Sequence, residues 1–323
     1  MPTAYVDAIR EGIFEEMERD PTVFCIGEDI GVYGGAFKVT QGLLEHFGER
    51  RIVDTPLSES GIAGAAIGAS LFGLRPVAEM QFSDFISCAF DQITNFAAKC
   101  RYRWNAPVPI VIRAPVGGGI HGGPFHSQNP EAPFVHTPGL KVIEPATAYD
   151  AKGLIKSAIR DNDPVLFFEH KGLYRRIKED LPTEEYTVPI SKASLVRAGK
   201  HISVITYGAM VYVAKEAAEK LDQEGISLEI IDLRTLLPMD TEAILESVRK
   251  TSKVIVLHED TLTGGIGGEI SARITETVFE YLDGPVLRLT APDCPVPFSP
   301  PLEDAFLPNR EKLIEKARWL YRY

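Results

Sequence analysis

Long apolar runs are missing from this chain: nowhere do about 18 residues pass without charge, so no segment reads as a membrane span. The opening segment, MPTAYVDAIREGIFEEMERDP, is acidic and amphipathic rather than basic and then apolar. That composition predicts no signal peptide and a cytoplasmic protein. Cysteine is scarce, and Cys25, Cys88, Cys100 and Cys294 show neither a CxxC pair nor a regular spacing. A zinc ribbon and a disulfide framework are therefore excluded. Cys25, within VFCIG, reads as a small buried hydrophobe. Basic charge is also in deficit, with 34 Lys and Arg against 45 Asp and Glu and a net charge of -11. A surface for non-specific nucleic-acid binding would need a basic stripe. The densest basic cluster, KCRYRWN, suits a helix C-terminus instead.

Two signature motifs are absent too. There is no GxxxxGK[ST] for a nucleotide triphosphate and no GxSxG elbow for a serine hydrolase. The glycine-rich HEDTLTGGIGGEI lacks GxGxxG spacing and the acidic residue about 20 positions on that reads a ribose. It predicts a tight turn into a helix.

What the chain does have is alternation. Its 323 residues are 45% hydrophobic and 24% charged, a soluble globular profile with length enough for two domains. TVFCIGEDI, PVAEMQF, VPIVIRAP, LKVIEPA and PVLFFEH read as strands, separated by helical patterns over 3–20, 58–72, 85–102 and 149–161. Near-continuous apolar strands belong in a parallel sheet covered on both faces. The pattern lapses in the charged stretch 175–200, a linker with room for a short hairpin. It then resumes with ISVITYG, SLEIIDLRTL, KVIVLHED and PVLRLTA between helices at 211–224, 241–251, 266–281 and 310–318. The reading is a doubly wound α/β protein: one domain over 1–185, a linker over 186–200, and a second domain over 201–323.

Two stretches draw attention for chemistry. DTPLSESGIAGAAIGASLFG opens with helix-start signals and Glu59, yet places Gly61, Gly64 and Gly68 on one face. Each interior glycine costs about 1 kcal/mol against alanine. The face they flatten admits close approach by a neighbouring helix or ligand. APVGGGIHGGPFHSQNPEAPFVHTPG follows a strong strand and carries His121, His126 and His136. Long loops at strand ends in α/β proteins are ligand sites. A metal site, a bland polar loop and a catalytic histidine within HSQ all remain open from these residues. Glu28, Asp29 and Glu59 lie at or beyond strand ends. Together they describe a crevice holding a glutamate and a histidine, and they name no reaction.

Longer blocks carry a resemblance over essentially the whole chain. GEDIGVYGGAFKVTQGL, DTPLSESGIAGAAIG, RPVAEMQFSDF, HSQNPEA, PGLKVIEPATAYDAKGLIKSAIRDNDPV and EDTLTGGIGGEI follow one another as in a known family. They resemble the beta subunit of the thiamine-diphosphate-dependent decarboxylating component of 2-oxo acid dehydrogenase complexes. The resemblance implies an N-terminal pyrimidine-binding α/β domain and a C-terminal transketolase-type domain. It implies that the Glu59 carboxyl hydrogen-bonds N1′ of the cofactor's aminopyrimidine and favours the imino form that deprotonates the thiazolium. Phe85 matches a ring stacked on the pyrimidine. Leu57, Ser58 and Gln81 fall at neighbouring contacts, and Glu28 matches an acid near the cofactor. His126 matches a histidine that holds the substrate carboxylate or acyl group and assists transfer to a lipoyl group. Ile110, Ala158, Asp161 and Asp163 match a structural monovalent-cation site, potassium in some relatives.

The family's diphosphate and magnesium motif, GDG…N, is absent here. The resemblance assigns it, and most of the magnesium binding, to an alpha subunit. It implies half an active site, completed in an assembly of two alpha and two beta chains, with docking to a lipoyl acyltransferase core. HSQNPEAPF and FFEHKGLYR resemble branched-chain members more than pyruvate ones, with acetoin enzymes a further alternative. A non-catalytic assembly subunit is the competing reading.

Overall fold

The computed structural model describes residues 2–323, which divide into two compact units. The first comprises residues 2–116, Pro133–Ile190 and Leu236–Pro238; the second comprises Gly117–Ala132, Ser191–Thr235 and Met239–Tyr323. The Gly117–Ala132 loop thus groups with the second unit, whereas the reading by sequence order leaves it inside 1–185.

The first unit is built on a seven-stranded sheet in the order Thr235–Leu237, Lys141–Ile143, Val165–His170, Val111–Val116, Arg75–Glu79, Val23–Gly27 and Ile52–Asp54. The six strands that precede residue 171 pair in parallel, with Cys25 opposite Val77 and Val111 opposite Val165. Val111–Val116 and Val165–His170 are buried along their whole lengths, which is why they read as unbroken apolar runs. Helices Tyr5–Arg19 and Ala148–Arg160 pack on each other. Gly12 permits that approach, since a Cβ there would stand 2.5 Å from Ile155 Cγ2. The side chain of Thr147 caps the second helix by accepting the Asp150 N–H.

The second unit has a five-stranded sheet in the order Leu287–Ala291, Val254–Thr261, Ile202–Thr206, Leu228–Asp232 and Ser194–Arg197. Four of its strands run parallel and the edge strand Ser194–Arg197 is antiparallel. Its core joins Val204, Ile230, Ile255 and Leu257 to Ala214, Ala217 and Leu221 of the Met210–Asp222 helix. The glycine run after Val254–Thr261 is the expected tight turn into a helix, Gly267–Val278. A Cβ on Gly265 would meet the Thr261 carbonyl oxygen at 2.3 Å, and one on Gly267 would meet His258 Nε2 at 2.5 Å.

The sequence pattern and the structure part in three places. The helix expected over 85–102 is three segments: a 3-10 turn at Ser83–Ala89, a π-helix at Gln92–Ala97 and an α-helix at Ala98–Trp104. Within it the Thr94 hydroxyl turns back on the Phe90 carbonyl at 2.8 Å, the kind of insertion that loosens a helical ladder. The short strand Ile52–Asp54 sits at a sheet edge and gives too little periodicity to read. In the 175–200 stretch, Lys178–Glu179 pairs with Thr3–Ala4, while Ser194–Arg197 joins the second sheet, so the two do not form a hairpin. No helix among the described residues is long and apolar enough to cross a membrane. All four cysteines are free, and burial pushes the Cys25 thiol up to about 12.

Candidate active site

In the first unit the chemistry gathers at the carboxyl ends of the parallel strands, where open α/β sheets bind ligands. Val23–Gly27 delivers Glu28, Ile52–Asp54 leads into the Glu59–Leu71 helix, and Arg75–Glu79 leads to Gln81 and Phe85. Thr55 N–H donates to the Gly27 carbonyl at 3.0 Å and ties the first two strand ends together. Asp54 Oδ1 accepts the Gly31 N–H at 2.7 Å, and a Cβ on Gly31 would stand 2.3 Å from Asp54 Oδ2. A side chain there would displace the Asp54 carboxylate.

Glu28 and Glu59 are both buried, at 6% and 8% exposure. Burial pushes the Glu28 carboxyl up, and the Glu59 and Asp29 charges add to that rise; the Ser58 N–H opposes it. Glu28 Oε1 is buried without a hydrogen-bond partner. Glu59 is the first residue of its helix, where the helix dipole favours negative charge. In front of this pair Leu57 is 77% exposed and Ser58 is also exposed. Gln81 Nε2 donates to Asp29 Oδ2 at 3.3 Å, and the Phe85 N–H donates to the Phe82 carbonyl at 3.2 Å. Two buried carboxyls, one with an oxygen lacking a partner, beneath an open apolar rim suit a protonated or hydrogen-bonding heterocycle with a flat apolar face. Phe82 adopts φ 151°, a conformation bulky residues rarely hold, and its ring sits edge-on to Phe37 at 5.5 Å. Sequence reasoning passed over Phe82, because backbone strain leaves no trace in composition.

The glycines of the Glu59–Leu71 helix have an open face. Gly61 and Gly64 are exposed, and a Cβ on Gly68 would meet nothing within 4 Å. Phe72, just beyond, is 92% exposed.

The second unit holds the histidine loop. Gly123–Phe125 forms one 3-10 turn, after which the half-buried His126 donates its N–H to the Gly123 carbonyl at 3.3 Å. Gly123, at φ 67°, lies under Phe298, whose ring a Cβ would strike at 2.5 Å. His121 Nδ1 is 2.6 Å from Glu303 Oε2. His136 belongs to the first unit and is exposed. A cavity of about 880 Å³ opens beside the loop, lined by Phe125, Ser127, Asn129, Glu259, Asp260 and Asp293 among others.

Behind this loop lies a carboxyl cluster that the sequence reading missed. Glu131 is fully buried, and its Oε1 accepts the Tyr207 hydroxyl at 2.6 Å. Burial, then the charge of Asp260, pushes Glu131 up to about 8. Asp260 is pushed up to about 6, chiefly by burial and against hydrogen bonds from Thr261. Nothing local in NPEA marks Glu131, because its hydrogen-bond partner Tyr207 is 76 positions distant. The raised Glu131 has a consequence for stability. The folded chain keeps this proton up to about pH 8, whereas the unfolded chain releases it in the ordinary carboxyl range, so wild type loses stability as pH rises between the two. Glutamine holds no such proton. Glu131→Gln should gain about 2–3 kcal/mol on wild type between pH 5 and pH 7. Melting temperatures measured across that range check it, and a difference independent of pH would discard the protonated state.

Of the residues matched to a cation site, each has protein partners. The Ile110 carbonyl accepts the Val165 N–H at 2.9 Å, and the Ala158 carbonyl accepts the Asp161 N–H at 3.2 Å. Lys141 Nζ stands 2.5 Å from Asp161 Oδ2, Arg75 donates to the Asp161 carbonyl at 2.9 Å, and Arg101 pairs with Asp163 at 2.7 Å. No cluster of three or more His, Cys, Asp or Glu arranged for a metal ion occurs among the described residues.

Two family models match in tandem: the transketolase pyrimidine-binding domain over residues 1–177 and the transketolase C-terminal domain over residues 191–313. A solved split-gene transketolase, an inactive beta4 tetramer, superposes with a TM-score of 0.80 over 100% of this chain and 99% of that one. At 21% identity it speaks for the fold alone. The chain is 52% identical to the 2-oxoisovalerate dehydrogenase subunit beta of Bacillus subtilis (strain 168) over 323 residues, 99% of each chain. It is 45% identical to the pyruvate dehydrogenase E1 component subunit beta of the same organism over 317 residues, and of Staphylococcus aureus (strain Mu50 / ATCC 700699) over 315, 97% of each chain in both cases. The α/β fold, its two transketolase-type halves and the whole-chain likeness converge: this protein belongs to the beta-subunit family of thiamine-diphosphate-dependent 2-oxo acid dehydrogenases.

Proposed function

We propose that this chain is the beta subunit of a branched-chain 2-oxo acid dehydrogenase, acting on acids such as 3-methyl-2-oxobutanoate together with an alpha subunit. The observation that carries the catalytic part is the buried Glu28–Glu59 pair at the strand ends, with one oxygen lacking a partner. The branched-chain preference is supported by 52% identity to the 2-oxoisovalerate enzyme subunit, against 45% to the pyruvate ones. When bound, thiamine diphosphate supplies the carbanion that attacks the 2-oxo carbon and the sink for the electron pair left by carbon dioxide.

This chain's residues hold the pyrimidine end. Glu59 would share a proton with a ring nitrogen of the bound pyrimidine from the first position of its helix, where the dipole favours negative charge. Glu28, its carboxyl pushed up by burial and by the Glu59 charge, would sit beside Glu59 at the cofactor's pyrimidine end. Phe85 stacks on the ring, and Leu57, Ser58 and Gln81 shape the rim. No GDG motif occurs here, so the diphosphate and its magnesium fall to the alpha subunit. The exposed glycine face of the Glu59–Leu71 helix suits contact with a further subunit of a two-alpha, two-beta assembly. A lipoyl acyltransferase core is the acceptor of the acyl group.

His126 is proposed to hold the substrate carboxylate or acyl group and to assist its transfer to the lipoyl arm. His126→Ala should cut acylation of a lipoylated acceptor domain at least about tenfold more than decarboxylation read with an artificial electron acceptor. Equal loss of both activities would remove that role. For potassium, the acid side chains at Asp161 and Asp163 are already paired, so the ion would rely on carbonyl oxygens such as those of Ile110 and Ala158, which keep a second lone pair. The site is proposed as structural. Potassium should then raise the melting temperature over choline at equal ionic strength, and identical melting would discard it.

The experiment that tests the whole reading compares this chain alone with a co-purified GDG-bearing alpha subunit. Thiamine diphosphate, magnesium and a panel of 2-oxo acids are supplied with an artificial electron acceptor. Activity confined to the mixed sample, greatest with branched-chain acids, is expected. Greatest activity with pyruvate would move the chain to the pyruvate enzymes. A stable complex inert towards every acid would favour an acetoin enzyme or a purely structural subunit.

A further inference from the structure

The loop that carries His126 is almost devoid of regular structure, yet the backbone N–H groups of Gly117, Gly118, Gly119 and His121 are engaged. Gly117 N–H donates to the Gln128 carbonyl at 3.2 Å, within the loop itself. The next donors go to two carboxylates far away in sequence. Gly118 N–H donates to Glu259 Oε1 at 2.5 Å. Gly119 N–H donates to Glu303 Oε1 at 3.0 Å, and His121 N–H to Glu303 Oε2 at 3.1 Å. The His121 ring adds a third contact to the same carboxylate, at 2.6 Å. Glu303 is wholly buried on the Pro300–Phe306 helix, and Glu259 is 6% exposed near the end of the Val254–Thr261 strand. Glycine is needed where the acids close in. A Cβ on Gly118 would stand 3.1–3.3 Å from Leu307, Glu303 and Glu259, and Gly119 sits at φ 77°.

Backbone N–H donors to carboxylate are roughly twice as strong as neutral pairs. A buried anion that accepts two of them and a histidine ring holds a loop that its own local structure leaves free. We infer that Glu303 is a positioning residue, which fixes the Gly117–Ala132 loop and through it the His126 imidazole, with Glu259 as a second anchor. Neither carboxylate needs to touch the substrate. The inference rests on the proposed role of His126 for its functional consequence but not for the clamp itself. A misplacement of about 1 Å in a catalytic group can cost about 100-fold in rate.

The test uses the assembled alpha–beta enzyme with Glu303→Gln, Glu303→Asp and His126→Ala, and Glu229→Gln as a control. Glu229 is a buried carboxylate of the same unit that accepts the Gly199 N–H and pairs with Lys250. Glu303→Gln should lower acylation of a lipoylated domain about 10- to 100-fold while artificial-acceptor decarboxylation falls less than about threefold. Glu303→Asp, which keeps the charge, should recover part of that loss. In Glu303→Gln, amide hydrogen exchange in residues 117–126 should quicken at least about tenfold while the Val254–Thr261 strand stays protected. Glu229→Gln should produce neither change. Unaltered loop exchange in Glu303→Gln would overturn the clamp. Quickened exchange without an acylation defect, where His126→Ala shows one, would overturn the positioning role. A parallel loss of both activities and of melting temperature in Glu303→Gln and Glu229→Gln would reduce Glu303 to a fold residue. If His126→Ala itself shows no acylation defect, the His126 reading fails, and the exchange measurement still decides the clamp.

Discussion

Glu59→Gln, in the enzyme assembled with its alpha subunit, is expected to lower 2-oxo acid decarboxylation at least about 100-fold, within the range general acid–base groups contribute. Glutamine matches glutamate in volume and still hydrogen-bonds, but it cannot share a proton with a ring nitrogen. Glu59 is 8% exposed at the start of its helix, so an isosteric neutral group leaves the packing of Ile62, Ala63 and Ala66 undisturbed. Complex formation should therefore survive, and the loss should appear in kcat. Glu28→Gln makes the comparison sharper. Glu28 is matched only to an acid near the cofactor, not to the group that bonds its ring nitrogen, so the penalty should be the smaller of the two. Steady-state rates with an artificial acceptor, alongside size-exclusion of each complex, supply the measurement. Full activity in the Glu59 variant would withdraw its proposed role.

Arg113→Met should destabilise the first unit by about 3–5 kcal/mol, the usual consequence of removing one partner from a buried ion cluster. Arg113 is 1% exposed in the middle of the parallel sheet. It makes a bidentate pair with Glu169 at 2.6 and 2.8 Å and reaches Glu79 Oε2 at 2.5 Å. The Tyr174 hydroxyl donates to the same Glu169 at 2.7 Å. One guanidinium thus serves two carboxyls. Burial pushes Glu79 up, and the guanidinium opposes that rise. Methionine would leave both carboxyls without a cation in a site closed to water. Adding Glu79→Gln and Glu169→Gln should restore most of the loss, because the unpaired charge goes with it. Thermal unfolding of the three chains would decide the matter, and an unchanged midpoint in Arg113→Met would show the cluster to be indifferent.

Much of the fold was legible because parallel strands and their helices announce themselves locally. VPIVIRAP and PVLFFEH are largely apolar because both sheet faces are covered, and both contain strands. The Thr241–Thr251 helix falls on the residues its periodicity marks. The 85–102 segment failed for an opposite reason, since nothing in its pattern separates 3-10, π and α geometry. The candidate site was legible in part. Glu28 and Gln81 lie next to strand ends that can be read directly, whereas the short strand before Glu59 is not legible in the pattern. The Arg113–Glu79–Glu169 cluster was hidden inside apolar strands.

The sequence by itself determined the alternation of strand and helix, and the family, through blocks spread along the whole chain. These are local or cumulative properties, written in neighbouring residues. The tertiary structure decided what depends on pairs far apart in the chain. It set Glu303 against Gly119 and His121, buried Glu131 beneath Tyr207 with a proton retained, and placed the Gly117–Ala132 loop with the second unit. Hydrogen bonding and desolvation act through space, so a carboxyl's charge and a loop's freedom are fixed only when the chain has folded around them.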